Sequence, residues 1–128
     1  MIVADASVVV EALGGPGEAR DTLLAGPVQV PHIVDAEVAN ALRGRVLRGV
    51  ASPGAASMLL GAWIRFEAQR HDARPLLPRV WALRNVLTAY DAMYVALAES
   101  LGWPLVTADR RLASAPGVRC EVRVIRPD

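Results

Sequence analysis

Short apolar runs that end at a turn or a carboxylate alternate along this chain with longer stretches rich in Ala and Leu. Ile2–Ala4 predicts a first strand, and Asp5 follows it at once. Residues 104–107 predict a later strand that ends two residues before Asp109. Alternation of strands with helical stretches is typical of an α/β layered sandwich with a mostly parallel central sheet.

The remaining elements follow from helix caps, breakers and apolar spacing. Gly102 ends the helix predicted over 88–101, and Ser52 with Pro53 begins another that extends to about residue 69. Residues 74–84 predict an edge strand and a helix. Other helices are predicted over 7–13, 18–25 and 33–48, and other strands over 28–30 and 118–125. Trp63, Trp81 and Trp103 stand in apolar stretches and are predicted to be core residues.

Length and composition exclude several classes of protein. The 128 residues fit a single domain spanning 1–128, and all 14 basic residues are Arg. Without Lys the chain cannot form a Walker A loop or a Schiff base. One Cys and two His make neither a disulfide framework nor a Cys/His zinc site. No apolar run reaches the roughly 20 residues that span a bilayer, so a soluble cytoplasmic protein is expected.

Asp5 and Asp109 are the first candidate functional residues. Ligands of open α/β sheets bind beyond the carboxyl ends of the strands, and both acids follow predicted strands. Asp is also a favoured helix N-cap, so a capping role is the alternative for each.

Asp91 and Glu37 lie on predicted helices. The helical neighbours of Asp91 are Tyr94, Val95 and Ala98, an apolar face on which a lone carboxylate is costly to bury. A capping box with Thr88 is the alternative interpretation. Glu37 lies at the border of its helix's apolar stripe and Asp35 nearer the centre, so periodicity does not choose between them. Carboxylates are the ligands that Mg²⁺ and Mn²⁺ prefer, and four could meet in the fold.

Four segments carry a family resemblance. They are IVADAS at 2–7, PHIVDAEVANAL at 31–42, YDAMYVALAE at 90–99 and LVTADRRL at 105–112. In this order they closely resemble the PIN-domain family, in particular the VapC-type toxins of bacterial toxin–antitoxin pairs. The resemblance implies a PIN-like three-layer α/β/α sandwich with a mostly parallel central sheet. It places Asp5, Glu37, Asp91 and Asp109 on the family's metal-site acids, choosing Glu37 over Asp35.

The resemblance also implies an activity and partners. These are Mg²⁺- or Mn²⁺-dependent endoribonuclease action on tRNA or rRNA, a VapB-like antitoxin that inserts into the active-site groove, and a homodimer. Ser7 and Thr107 match supporting polar positions, and Arg110 and Arg111 are candidate contacts to RNA phosphates. The alternatives are a PIN-fold RNA-processing or DNA-repair nuclease, and a non-catalytic module whose acidic pocket binds a partner's Arg side chains.

Overall fold

The computed structural model describes residues 1–126, so the last two residues of the predicted domain, Pro127 and Asp128, lie outside the described part. Within residues 1–126, five strands form one parallel sheet in the order β3-β2-β1-β4-β5. The strands are β1 Ile2–Ala4, β2 Val28–Pro31, β3 Gln69–His71, β4 Leu105–Thr107 and β5 Val122–Val124. The described helices are α1 Ala6–Gly14, α2 Glu18–Leu24, α3 Ile33–Leu47, α4 Pro53–Arg65, α5 Leu77–Ala82, α6 Ala89–Leu101 and α7 Arg110–Ala113.

The first strand lies at the centre of the sheet. Val3 is in register with Gln29 of β2 on one side and with Leu105 of β4 on the other. The chain therefore leaves β1 toward β2 and returns to the opposite side of β1 with β4. This reversal of strand order makes the carboxyl ends of β1 and β4 a topological switch point, where ligands bind in doubly wound sheets.

Helices cover the sheet in two groups. α1 packs against α2, α3 and α4, whereas α5 packs on α6, which lies against β1 and β2. All seven residues from Ala92 to Ala98 are buried, so the middle of α6 is enclosed by protein on all sides. The α/β sandwich with a parallel sheet is thereby confirmed. No helix within residues 1–126 is long and apolar enough to cross a membrane.

Local chemistry explains where the best-predicted helices begin and end. Ser52 accepts a hydrogen bond from the Ala55 backbone N–H at the start of α4, and Thr88 caps α6 in the same way. Gly102 ends α6 in the left-handed conformation (φ 71°), which glycine adopts without steric cost.

Several sequence predictions were wrong in detail. α4 ends at Arg65, because Phe66 turns the backbone to an extended conformation, and Gln69 starts β3. The edge strand therefore lies at 69–71, while Arg74–Leu76 is a 3₁₀ turn that leads into α5. The last strand is confined to Val122–Val124.

The tryptophans also differ from one another. Trp63 is buried as predicted, but Trp103 is only half-buried and Trp81 is 68% exposed. Arg84 lies over the Trp81 ring, 4.9 Å from its centroid. The Arg84 side chain therefore covers part of the exposed apolar face of the Trp81 indole.

Candidate active site

Asp5 follows β1 and is 6% exposed. Its Oδ1 accepts hydrogen bonds from the Ser7 hydroxyl at 2.5 Å and from the Val8 N–H at 3.2 Å. Its Oδ2 accepts one from the Thr107 hydroxyl at 2.5 Å. Burial raises the pKa of this carboxyl, and the three donors oppose that rise because they favour the ionised form.

The two hydroxyls connect Asp5 to the segment after β4. Ser7 Oγ accepts from the Ala108 N–H at 2.9 Å, and Thr107 Oγ1 accepts from the Asp109 N–H at 3.0 Å. Each hydroxyl thus donates to Asp5 and accepts from the backbone, which fixes the direction of both bonds. Residues 102 positions apart in sequence are held in one network at the switch point. Ser7 and Thr107 thus lie beside Asp5, and their supporting role in a metal site stays a prediction.

Glu37 lies on α3 and Tyr94 fixes its carboxylate. The buried Tyr94 hydroxyl donates to Glu37 Oε1 at 2.5 Å. Burial raises the pKa of Glu37, as do the charges of Asp5 and Asp91, and the Tyr94 hydrogen bond lowers it. Sequence reasoning did not identify this role of Tyr94. The available signal was a lone hydroxyl on an otherwise apolar helix face, which requires a partner when buried.

Asp91 stands in the first turn of α6. Thr88 Oγ1 accepts the Asp91 backbone N–H at 3.3 Å, so the cap is made to the main chain of Asp91. Burial and the charge of Asp109 raise the pKa of the Asp91 carboxyl, while Arg111 and a hydrogen bond with Thr88 lower it. Asp91 therefore has both surroundings predicted for it, a helix start and an acidic neighbourhood.

Asp109 caps α7, and Arg111 binds both of its oxygens. Arg111 Nε lies 3.1 Å from Oδ1, and Arg111 Nη2 lies 2.9 Å from Oδ2. The backbone N–H of Arg111 also donates to Oδ1 at 2.9 Å. These bonds lower the pKa of Asp109. The prediction that Asp109 caps a helix is therefore confirmed. A capping Asp109 can still act on a neighbouring acid, because its charge raises the pKa of Asp91.

The four acids act on one another electrostatically. The charge of Asp91 raises the pKa of Asp5 and of Glu37, and Asp109 raises the pKa of Asp91. Like charges act on one another over several ångströms, so Asp5, Glu37 and Asp91 share one electrostatic neighbourhood, which Asp109 joins through Asp91. The histidines take no part in this group. His71 Nε2 lies 2.5 Å from Gln29 Oε1, and His32 directly precedes α3.

The donor set fits a hard divalent cation in its chemistry. It consists of carboxylate oxygens, and three of the acids, Asp5, Glu37 and Asp91, have raised pKa values that a positive charge would relieve. In residues 1–126, however, no group of three or more Asp, Glu, His or Cys side chains stands ready to hold a metal ion. The Asp5 carboxylate accepts hydrogen bonds from hydroxyl groups, and the Asp109 carboxylate pairs with Arg111. The Arg111 guanidinium therefore places a positive charge beside these acids.

Two open clefts flank the acids. One of about 440 Å³ lies between α1 and α3, and Ser7, Glu37 and Asn40 contribute to its walls. The other, of about 430 Å³, contains Asp91 and Asp109. Each is large enough for part of an extended polymer to lie beside the acids.

Asp35, the competing candidate on α3, points elsewhere. Its Oδ1 accepts from Trp63 Nε1 at 2.8 Å, and Arg70 binds both of its oxygens, at 2.6 and 2.7 Å. These bonds lower the pKa of Asp35. Asp35 therefore connects α3 to α4 and β3, which supports the choice of Glu37. Arg110 and Arg111 are both exposed at the start of α7, and their contact with RNA phosphates stays a prediction.

Comparison with known proteins places this arrangement in a family. The PIN-domain family model matches residues 2–118. The chain belongs to the PIN-domain family. Relatives include ribonuclease VapC1 of Mycobacterium tuberculosis, 43% identical with 97% of each chain covered. A VapC ribonuclease of Mycobacterium bovis is 41% identical over 98% of each chain.

Solved structures agree with this PIN fold. The protein PAE2754 of Pyrobaculum aerophilum superposes with a TM-score of 0.74 at 26% identity, covering 94% of this chain and 81% of that one. The VapBC2 structure of Rickettsia felis matches with a TM-score of 0.70 at 15% identity, over 95% and 98% of the two chains. The predicted three-layer PIN-like architecture is confirmed.

Proposed function

We propose that this chain is an endoribonuclease, the toxin of a VapBC-like toxin–antitoxin pair, and that Asp5, Glu37, Asp91 and Asp109 hold Mg²⁺ or Mn²⁺. Two observations support the proposal: Asp5 and Asp109 follow β1 and β4, and the charge of Asp91 raises the pKa of both Asp5 and Glu37. Relatives named VapC ribonucleases match nearly the whole chain, which favours a toxin over an RNA-processing or DNA-repair nuclease.

The residues of the proposed site have different roles in RNA hydrolysis. A bound divalent cation supplies water activation near neutral pH and neutralises charge that develops on a phosphodiester. Ser7 and Thr107 donate to Asp5 and so favour its ionised form, and Tyr94 holds Glu37 in one orientation. The exposed Arg110 and Arg111 beside the acids supply positive charge for the flanking phosphates.

A nuclease assay with two matched variants of α3 tests this proposal. Glu37→Gln and Asp35→Asn each remove one negative charge, two residues apart on the same helix. The purified parent is expected to cut tRNA or rRNA with Mg²⁺ or Mn²⁺ and to stop with EDTA. Glu37→Gln should be inactive and Asp35→Asn active. A parent that cuts no RNA with either metal, or equal activity in Glu37→Gln, would contradict the proposal.

The partner proposed for this toxin is a VapB-like antitoxin. An apolar groove between α1, α2 and α4 has a cavity of about 210 Å³, with Val9, Leu13, Leu23, Trp63 and Phe66 among its lining residues. A peptide with apolar anchors would bury them there, and an Arg or Lys of the same peptide would pair with the acids on the other side of α1.

Neutralising the four acids together tests the acidic half of this interface. Purified antitoxin should bind the quadruple Asp→Asn and Glu→Gln variant more weakly than the parent, and it should block RNA cleavage by the parent. Equal affinity without inhibition would contradict the proposed binding mode. The expected homodimer remains a prediction, which the mass from light scattering checks.

A further inference from the structure

The Arg111 side chain binds both oxygens of the Asp109 carboxylate, as a chelating cation would. Its guanidinium contacts both oxygens of Asp109, at 3.1 and 2.9 Å. The same charge lowers the pKa of Asp91, and Asp91 in turn raises the pKa of Arg111. One side chain thus compensates part of the repulsion between two acids.

The sequence builds this contact locally. Asp109 accepts the Arg111 backbone N–H because it caps α7, and the cap brings the Arg111 side chain back over the carboxylate. Five guanidinium donors in a planar fork match the two oxygens of a carboxylate. The contact is therefore local to the first turn of α7.

The contact is also easily broken. The side chain of Arg111 is 89% exposed and that of Asp109 is 30% exposed, so water competes for both partners. By contrast, in the ion pair between Arg79 of α5 and Glu99 of α6 the side chains are only 25% and 14% exposed. Ion pairs as exposed as Arg111–Asp109 contribute little free energy, and an opposing ligand can displace them.

We propose that Arg111 is an internal competitor of the divalent cation, which must leave Asp109 before that carboxylate can act as a ligand. The proposal rests on the metal site proposed above. It makes Arg111 a positioning residue that weakens metal binding. When displaced, the guanidinium remains beside the acids, where the phosphates of RNA would pass.

Arg110 provides the matched control. It is the neighbouring residue on α7, it carries the same charge, and the side-chain bonds to Asp109 come from Arg111. Removing either arginine changes the net charge equally, whereas removing Arg111 alone frees Asp109. A difference in Mn²⁺ affinity between the two variants therefore measures the effect of the Arg111–Asp109 contact rather than that of the net charge.

The experiment is a calorimetric Mn²⁺ titration of the parent, Arg110→Gln, Arg111→Gln and Arg111→Lys, with the Mn²⁺-dependent rise in Tm as a second readout. Arg111→Gln should bind Mn²⁺ about two- to fivefold more tightly than Arg110→Gln, the factor expected for loss of an exposed ion pair. Arg111→Lys, which keeps the charge but lacks the fork, should lie closer to Arg111→Gln than to the parent. In an Asp109→Asn background the advantage of Arg111→Gln should vanish.

Two results would overturn the proposal in different ways. Equal or weaker Mn²⁺ binding by Arg111→Gln than by Arg110→Gln, in a parent that binds Mn²⁺ and cuts RNA, refutes the competition and leaves the proposed function standing. A parent and variants that all fail to bind Mn²⁺ would refute the metal site together with the inference.

Discussion

Replacing Thr107 with Val tests the hydroxyl network beneath the acids. The residue has no exposed surface, and Val keeps the shape of the side chain while removing its hydroxyl. The change deletes the bond to Asp5 Oδ2, at 2.5 Å, and the acceptor of the Asp109 N–H, at 3.0 Å. Both groups then lack the partner that the structure gives them.

The magnitude follows from these two bonds. A hydrogen bond to a charged group contributes about 1.5–3 kcal/mol, and one between neutral groups about 0.5–1.5 kcal/mol. The free energy of unfolding of Thr107→Val should therefore fall by about 2–4.5 kcal/mol at pH 8. Native domains are stable by about 5–15 kcal/mol, so the variant should still fold.

The loss should depend on pH. Burial raises the pKa of Asp5 in the folded state, so this group stabilises the fold at low pH and loses that contribution as the pH rises through its folded pKa. Removing a donor to the carboxylate raises the folded pKa further. The difference between Thr107→Val and the parent should therefore be larger at pH 8 than near pH 4.5, where Asp5 is more protonated.

Urea unfolding in EDTA at both pH values, with Thr107→Ser as the control, measures the effect. Thr107→Ser keeps the hydroxyl and loses one methyl group, at about 0.8 kcal/mol for the apolar area. If Thr107→Val lost no more stability than Thr107→Ser, or the same amount at both pH values, the assignment of the hydroxyl to an ionised Asp5 would be refuted.

Three further variants separate roles at and around the site. Without metal, Asp91→Asn should be at least as stable as the parent at pH 8. Thr88 caps the backbone N–H of residue 91 in both proteins, and the raised pKa of the Asp91 carboxyl means that its charge destabilises the fold. The variant should also lose most of the Mn²⁺-induced rise in Tm. A lower Tm with the Mn²⁺ response retained would assign Asp91 to the helix start. Asp35→Asn should lose about 1 kcal/mol with its partly exposed Arg70 pair, and its Mn²⁺ response in the same melting assay should match the parent's. Arg110→Ala should lower the slope of log affinity for RNA against log salt by about one, measured by fluorescence anisotropy, and an unchanged slope would remove it from the RNA contacts.

The sequence was most informative where the chemistry is local. An apolar triplet followed by Asp5 could be placed at the end of a buried strand, and residues 104–107 placed Asp109 in the same way. Thr88 and Gly102 marked the ends of α6 because capping depends on a few adjacent residues. These local signals were enough to predict the sheet and the edge at which the site lies.

The sequence was least informative where a partner comes from far along the chain. Asp35 lay near the centre of its helical stripe, but its environment is set by Trp63 and Arg70, which are 28 and 35 residues away. The Tyr94 bond to Glu37 joins positions 57 apart. No periodicity within α3 encodes such contacts, and the family resemblance was needed to choose Glu37.

The errors on the surface have the same origin. Trp81 belongs to a segment that looks apolar in sequence, yet α5 is a short edge helix that turns it outward. β3 consists of Gln, Arg and His, which carry no strand pattern, and only pairing with β2 makes them a strand. Propensity alone could not identify either feature.

The Asp5–Thr107 hydrogen bond has a consequence for the protein while it is being synthesised. The central strand emerges first, but its partner β4 and the Thr107 hydroxyl are made 102 positions later. At about 5–20 residues per second, translation takes roughly 5–20 s to cover that distance. Throughout this interval the nascent chain contains Asp5 and Ser7 but neither the Thr107 hydroxyl nor Asp109. The proposed site therefore cannot be assembled until translation is almost complete.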